Sequence, residues 1–155
     1  MRAFVAIALA LVGCGSSASD GAPGGAASRG VAARDPLLAV PLPPGAARVT
    51  GPNFQVDAAP LGACTVAAPC VVAADLTALA GFKVNAEYPF KLVEPSVGLV
   101  APAAFAVTGT TTGRLLVRFT RPGAGPVRVT GGFKLSVCSA DVCQIETARL
   151  AVDVP

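Results

Sequence analysis

Five cysteines carry most of the reactive chemistry open to this chain of 155 residues. His and Trp are absent and Tyr occurs once. Without an imidazole there is no Ser-His-Asp or Cys-His triad and no histidine metal ligand. The cysteines fall into three groups: Cys14 alone near the start, Cys64 with Cys70, and Cys138 with Cys143. In an exported domain the last four imply two disulfides, with three possible connectivities. The tight spacings favour local closure, 64–70 around Ala68-Pro69 and 138–143 around Ser139-Ala140-Asp141-Val142. The alternative, cross-linking the domain between the two pairs, closes longer loops and would stabilise more. Neither spacing is that of a zinc knuckle, and copper would find no His and, after loss of an N-terminal signal, no Met. No metal and no cofactor are expected. A hairpin disulfide is either a staple or a reducible pair that exchanges with other thiols. Cys138 and Cys143 are therefore the candidate catalytic residues, and Cys64 and Cys70 the candidate structural pair.

Residues 1–14 read MRAFVAIALALVGC: one positive charge at Arg2, an apolar stretch from Ala3 to Leu11, then small residues. That is the layout of a secretory signal. The apolar run is about half of the roughly 20 residues that a transmembrane helix needs, so a polytopic membrane protein is excluded despite a mean hydropathy of +0.64. Leu11-Val12-Gly13-Cys14 resembles the lipobox of bacterial lipoproteins. The resemblance implies removal of residues 1–13 and acylation of Cys14, with enough acyl chains for stable anchoring. Gly15, rather than Asp, follows the cysteine, a pattern that resembles outer-membrane sorting. The expected setting is the cell envelope, with the protein lipid-anchored and facing the periplasm.

Residues 14–47 are rich in Gly, Ala, Ser and Pro without helical or strand period. Such a stretch cannot bury enough apolar surface to offset its ordering entropy, and a flexible tether is expected. Leu37, Leu38, Val40 and Leu42 are the residues able to dock on the folded part, but a plain spacer is the preferred reading. The net charge of +3 falls to +2 once Arg2 leaves with the signal. Arg114, Arg118, Arg121 and Arg128 are spaced rather than blocked, so nucleic-acid binding has no electrostatic support. Arg114, Arg118 and Arg128 are expected on a solvated sheet face; a basic stripe for an acidic partner or lipid headgroups is the other reading. Asp75, Glu87, Glu94, Asp141, Glu146 and Asp153 are scattered and read as solvated surface, with Asp141 a turn residue.

Residues 48–155 read as one all-β domain. Leu115, Val117 and Phe119 alternate with arginines, and Pro122 to Pro126 breaks the run as a turn. Val127 and Val129, then Phe133, Leu135 and Val137, then Leu150, Val152 and Val154 alternate likewise. Phe54–Ala58, Cys70–Leu76, Tyr88–Glu94 and Ala104–Thr108 are earlier strand candidates, and Asp75–Ala80 makes one helical turn at most. Gly131-Gly132 is either a hairpin turn or a bulge within one long strand; unbroken parity across it favours the long strand. About seven to eight short strands separated by turn signals predict an immunoglobulin-like antiparallel β-sandwich. If Cys138 faces Cys143, Val137 meets Gln144 and Leu135 meets Glu146, which sets polar residues on the core face. A bulge just after Cys143 is then expected.

The segment Phe133-Lys134-Leu135-Ser136-Val137-Cys138-Ser139-Ala140-Asp141-Val142-Cys143, with Gly81-Phe82-Lys83-Val84-Asn85 before it, resembles the N-terminal periplasmic domain of the DsbD thiol:disulfide interchange family. The resemblance spans about residues 80–155. It implies an immunoglobulin-like fold and a thiol–disulfide exchange role for Cys138 and Cys143. The reading favoured from the residues is a non-enzymatic envelope lipoprotein that acts on an envelope protein partner or as a structural module. Thiol–disulfide exchange is the alternative.

Overall fold

A computed structural model describes residues 35–155. The signal, Cys14 and the tether up to residue 34 lie outside the described residues. A single 3-10 turn, Pro36–Leu38, precedes nine strands. These are β1 (Ala47–Thr50), β2 (Phe54–Leu61), β3 (Cys70–Ala78), β4 (Lys83–Val84), β5 (Lys91–Val93), β6 (Ala104–Val107), β7 (Thr112–Phe119), β8 (Val127–Cys138) and β9 (Cys143–Val154). Sheet one has the order β1-β2-β3-β7-β6. In sheet two, β9 runs along one edge of β8, while β4 and β5 lie end to end along the other. All pairings are antiparallel. With β2-β3-β7-β6 facing β4-β8-β9, the arrangement is an open sandwich with immunoglobulin-type strand order.

Alternation builds the core. Val56 of β2, Val72 and Leu76 of β3, and Leu115, Val117 and Phe119 of β7 point inward from sheet one. Phe133, Leu135 and Val137 of β8 with Ala148, Leu150, Val152 and Val154 of β9 meet them from sheet two. Strand β8 runs straight through Gly131-Gly132, as the unbroken parity predicts. A Cβ on Gly131 would press on the Leu92 side chain and the Val93 carbonyl, so glycine lets β5 approach here. The Asp75–Ala80 helical turn does not form: β3 continues to Ala78.

The expected bulge after Cys143 is absent. Pairing runs without interruption from Cys138 opposite Cys143 to Val127 opposite Val154. Gln144, Glu146, Ala148, Leu150, Val152 and Val154 share one parity, so no kink is needed. Full burial on that face begins only at Ala148; Gln144 and Glu146 are half-buried at the rim, where Asn53 Nδ2 donates to Gln144 Oε1 at 2.5 Å. Ile145 misled the pattern: it is apolar yet faces outward, 66 % exposed.

The outer face of sheet one departs from expectation. Register places Arg48, Asp57, Asp75 and Arg114 in one row across β1, β2, β3 and β7. The two aspartates lie directly opposite each other, an unfavourable pairing that the flanking arginines offset. Arg114 is only 6 % exposed, not solvated. Residues 35–42 lie over it as a strap: Leu37, Leu38 and Leu42 pack on Leu61, Val71, Ala73 and Leu116. Arg114 holds both Asp75 oxygens, at 2.5 and 2.7 Å, and donates to the Leu37 carbonyl at 2.8 Å and to that of Val40. Its guanidinium pKa is raised by the Asp75 bond and charge, against burial. Asp35 caps the 3-10 turn through the Leu37 N–H and pairs with Arg118. Part of the segment read as tether is thus docked, because three leucines without period still find an apolar stripe, while Val40 stays exposed. Arg128 stays exposed, 3.6 Å from Asp153.

Arg121, also 6 % exposed, closes the sandwich end opposite the β8–β9 turn. It donates to the carbonyls of Cys64, Gly123, Ala124, Gly125 and Pro155 at 2.6 to 3.3 Å. Arg121→Met removes the five bonds that tie the Cys64 loop, the 122–126 turn and Pro155 together and is expected to cost about 2 kcal/mol in urea unfolding, with Arg121→Lys recovering only part because the planar fork is lost. A second expectation concerns acid. Burial raises the Asp57 pKa, but bonds from Arg48 and Gln55 and the Arg48 charge outweigh it, and the net shift is downward. A depressed carboxylate stabilises above its unfolded value, so that contribution is lost as pH falls below about 4. Stability measured against pH should fall less steeply there in Asp57→Asn.

Candidate functional site

The β8–β9 hairpin ends in the turn Ser139–Val142. Ser139 N–H donates to the Val142 carbonyl at 2.9 Å, and its Oγ accepts from the Asp141 and Val142 N–H groups at 3.2 Å each. The serine closes the turn, and Asp141 is its exposed tip. Cys138 and Cys143 are directly opposed, with Cα atoms 4.0 Å apart, and are joined as a disulfide. Directly opposed side chains of an antiparallel pair share a face. Cys138 has the parity opposite to buried Val137, so the disulfide lies on the outer face of sheet two. Cys138 is half-buried and Cys143 exposed.

Three further elements bring residues beside it. Lys83 of β4 is the register partner of Cys138 on its other side, giving the row Lys83, Cys138, Cys143. One row inward, Ser136 is fully buried and its Oγ accepts from Asn85 Nδ2 at 3.3 Å, while Ile145 stands exposed opposite it. The row after that holds Lys91, Lys134 and Thr147. Val142 in the turn is 51 % exposed.

Cys64 and Cys70 form the second disulfide, Cα atoms 4.8 Å apart, so both pairings are local. This one sits at the far end of the sandwich, where Cys70 is opposite Phe119 and only 1 % exposed. A thiolate cannot approach the Cys70 sulfur without opening the core, so attack on this bond is confined to the half-buried Cys64 sulfur and would release a thiolate inside the core. The Cys143 sulfur has no such cover. Attack there by an external thiolate would form a mixed disulfide with Cys143 and release Cys138 as a thiolate. Lys83 stands where it would stabilise that leaving charge, and Asp141 where it would oppose it.

Of the scattered carboxylates only Asp141, in the turn, and Glu87, bonded to Asn85, lie near this site. Asp75 pairs with Arg114, Glu94 with Arg149 at 3.4 Å, and Asp153 with Arg128. Glu87 donates its backbone N–H to Asn85 Oδ1 at 3.2 Å, and Glu146 lies on the inner-facing rim. Among the described residues no three His, Cys, Asp or Glu side chains gather as metal ligands. Lys83, Asn85, Ser136 and Ile145 were not singled out from sequence as neighbours of the disulfide. Only the strand register brings them there. Compared with protein-family models, with curated proteins and with solved structures, the chain finds no match.

The leaving-thiolate geometry has a kinetic consequence. Lys83→Gln should slow reduction of Cys138–Cys143 by dithiothreitol roughly threefold to fivefold, the effect of one charge about 4 Å away in water. Reduction of Cys64–Cys70 should be unchanged, with both followed by alkylation and mass spectrometry.

Proposed function

We propose that this chain is a lipid-anchored protein of a bacterial cell envelope, held at Cys14, whose sandwich acts by binding an envelope partner and not by catalysis. The observation that supports this reading is the pair of disulfides in one small domain. Disulfides form and persist in oxidising compartments, and the signal-like start with its lipobox resemblance supplies the route out. The first test is the anchor: cells fed labelled fatty acid should incorporate it into the wild-type chain and not into Cys14→Ser, which should leave the membrane fraction.

Thiol–disulfide exchange at Cys138–Cys143 is a second reading, favoured by the contrast between exposed Cys143 and buried Cys70. Equilibration in glutathione or dithiothreitol buffers, with trapping of free thiols, separates the two. Selective opening of Cys138–Cys143 near about −200 mV in a folded protein supports exchange, because structural disulfides lie below about −300 mV. If both pairs hold until the protein unfolds, they are staples and the binding reading stands alone.

A further inference from the structure

The positive charges of the domain are of two kinds. Each arginine among the described residues is engaged: Arg48 with Asp57, Arg114 with Asp75, Arg118 with Asp35, Arg128 with Asp153, Arg149 with Glu94, and Arg121 in its cage of carbonyls. The three lysines are not. Lys83, Lys91 and Lys134 all have the outward parity of sheet two, and among the described residues none forms an ion pair. Lys91 and Lys134 lie directly opposite each other, a repulsive cross-strand pair that forms no ion pair with a carboxylate among the described residues. A negative surface laid against the face would relieve it.

The same half of the face is apolar where it is not basic. Ile145, 66 % exposed, lies in the row between Lys83 and the Lys91–Lys134 pair, and Val142, 51 % exposed, projects at the turn. Asp141 in the turn and Glu87 in the β4–β5 connection are the acids at this end, against three lysines. The far half of the face is neutralised by the Arg149–Glu94 and Arg128–Asp153 pairs. Charge and apolar exposure therefore concentrate on one end of one sheet face.

We infer that this half-face docks on an anionic bilayer surface, with the lysines among the headgroups and Val142 and Ile145 at the headgroup–acyl boundary. Compact, flexible ammonium groups suit a diffuse negative plane; bidentate recognition of carboxylates on a protein is the province of arginine, and the arginines here are paired. Basic residues interleaved with exposed aliphatics are the composition of interfacial elements. The inference rests on the envelope reading for a bilayer within reach, and not on acylation itself. The chain from Cys14 to Asp35 spans at most about 70 Å, enough for the domain to lie with this face down although the strap holds Asp35 on the other sheet.

The test uses the full chain carrying Cys14→Ser, so that no acyl group anchors it, mixed with vesicles of phosphatidylcholine alone or with about one-third phosphatidylglycerol. Amine acylation read by mass spectrometry reports the lysines one by one, whatever the apolar N-terminus does. Lys83, Lys91 and Lys134 should be protected on the anionic vesicles only, and the protection should vanish in high salt. Lys83→Gln/Lys91→Gln/Lys134→Gln should weaken the anionic preference about a hundredfold, at roughly fivefold per lysine. The triple arginine variant should retain it, and Ile145→Ser should weaken it severalfold, with circular dichroism showing all variants folded. Equal labelling on both vesicles, or a triple glutamine variant that prefers anionic vesicles like the wild type, overturns the inference. Protection by soluble polyglutamate without protection by vesicles also overturns it and assigns the face to an acidic protein. Loss of fatty-acid labelling in cells would bear on the anchor and leave this result standing.

Discussion

The unbroken β8–β9 ladder governs the rest of the molecule. Side chains alternate with a period of two, so a slip of one residue would turn every buried apolar position of β9 to solvent. The ladder sets Phe133, Leu135 and Val137 against Ala148 and the valines beyond it, and this gives sheet two its inner face. It leaves Cys138 and Cys143 opposed on the outer face. It also fixes where β4 and β5 can attach, since the other edge of β8 is the only one left to them. The position of Lys83 beside the disulfide and of Lys91 beside Lys134 follows from that edge, and so does the basic half-face.

The two outer faces solve the exposure problem in different ways. On sheet one, Leu61, Ala73 and Leu116 would be an apolar stripe in water, and the chain covers it with its own residues 35–42. That cover buries carbonyls and a carboxylate together, and a guanidinium is suited to both because its five N–H groups fan out in one plane. Arg114 therefore joins the strap to the sheet as a single polar cluster, in which neither the cation nor Asp75 is left without a partner. Among the described residues sheet two has no such cover. Its lysines stay hydrated and its exposed aliphatics stay few, which keeps the face soluble while leaving it ready for a charged plane.

Much of this fold is legible in the sequence because alternation survives in the longer strands. The pairings of Val137 with Gln144 and Leu135 with Glu146 follow from the Cys138–Cys143 spacing alone, and the structure has them. The strands that escaped notice are β1 and β4, four and two residues long, too short to show a period. The strap escaped for another reason: its leucines have no period because a strap has none, and its stabilising partners are nearly eighty residues away in sequence. Exposed Ile145 and buried Arg114 each contradict the residue-type rule, and each is set by what covers the face rather than by the strand. The opposition of Asp57 and Asp75 needs the β2–β3 register, which composition does not contain.

The position of the Cys138–Cys143 disulfide connects staple and reactivity. Core packing on β9 begins at Ala148, so the last two turns of the ladder towards the hairpin are held by backbone bonds, by Asn53 on Gln144 and by the disulfide. Strand β9 is also an edge, and half-buried Glu146 pointing inward is a charge of the kind that discourages another strand from adding there. A cross-link around a loop this short removes little entropy from the unfolded chain, so its effect is local: it keeps the end of an edge ribbon closed where side-chain burial has run out. The same lack of burial exposes the Cys143 sulfur. Opening the bond would free the hairpin end without removing a core contact, since Phe133, Leu135 and Val137 remain packed from β8. The hairpin can therefore lose its disulfide with the sandwich intact, whereas breaking the other bond at half-buried Cys64 would leave a charged Cys70 thiolate in the core. That difference in coupling to the core, more than any difference between the two spacings, is what makes Cys138–Cys143 the pair at which chemistry and folding are separable.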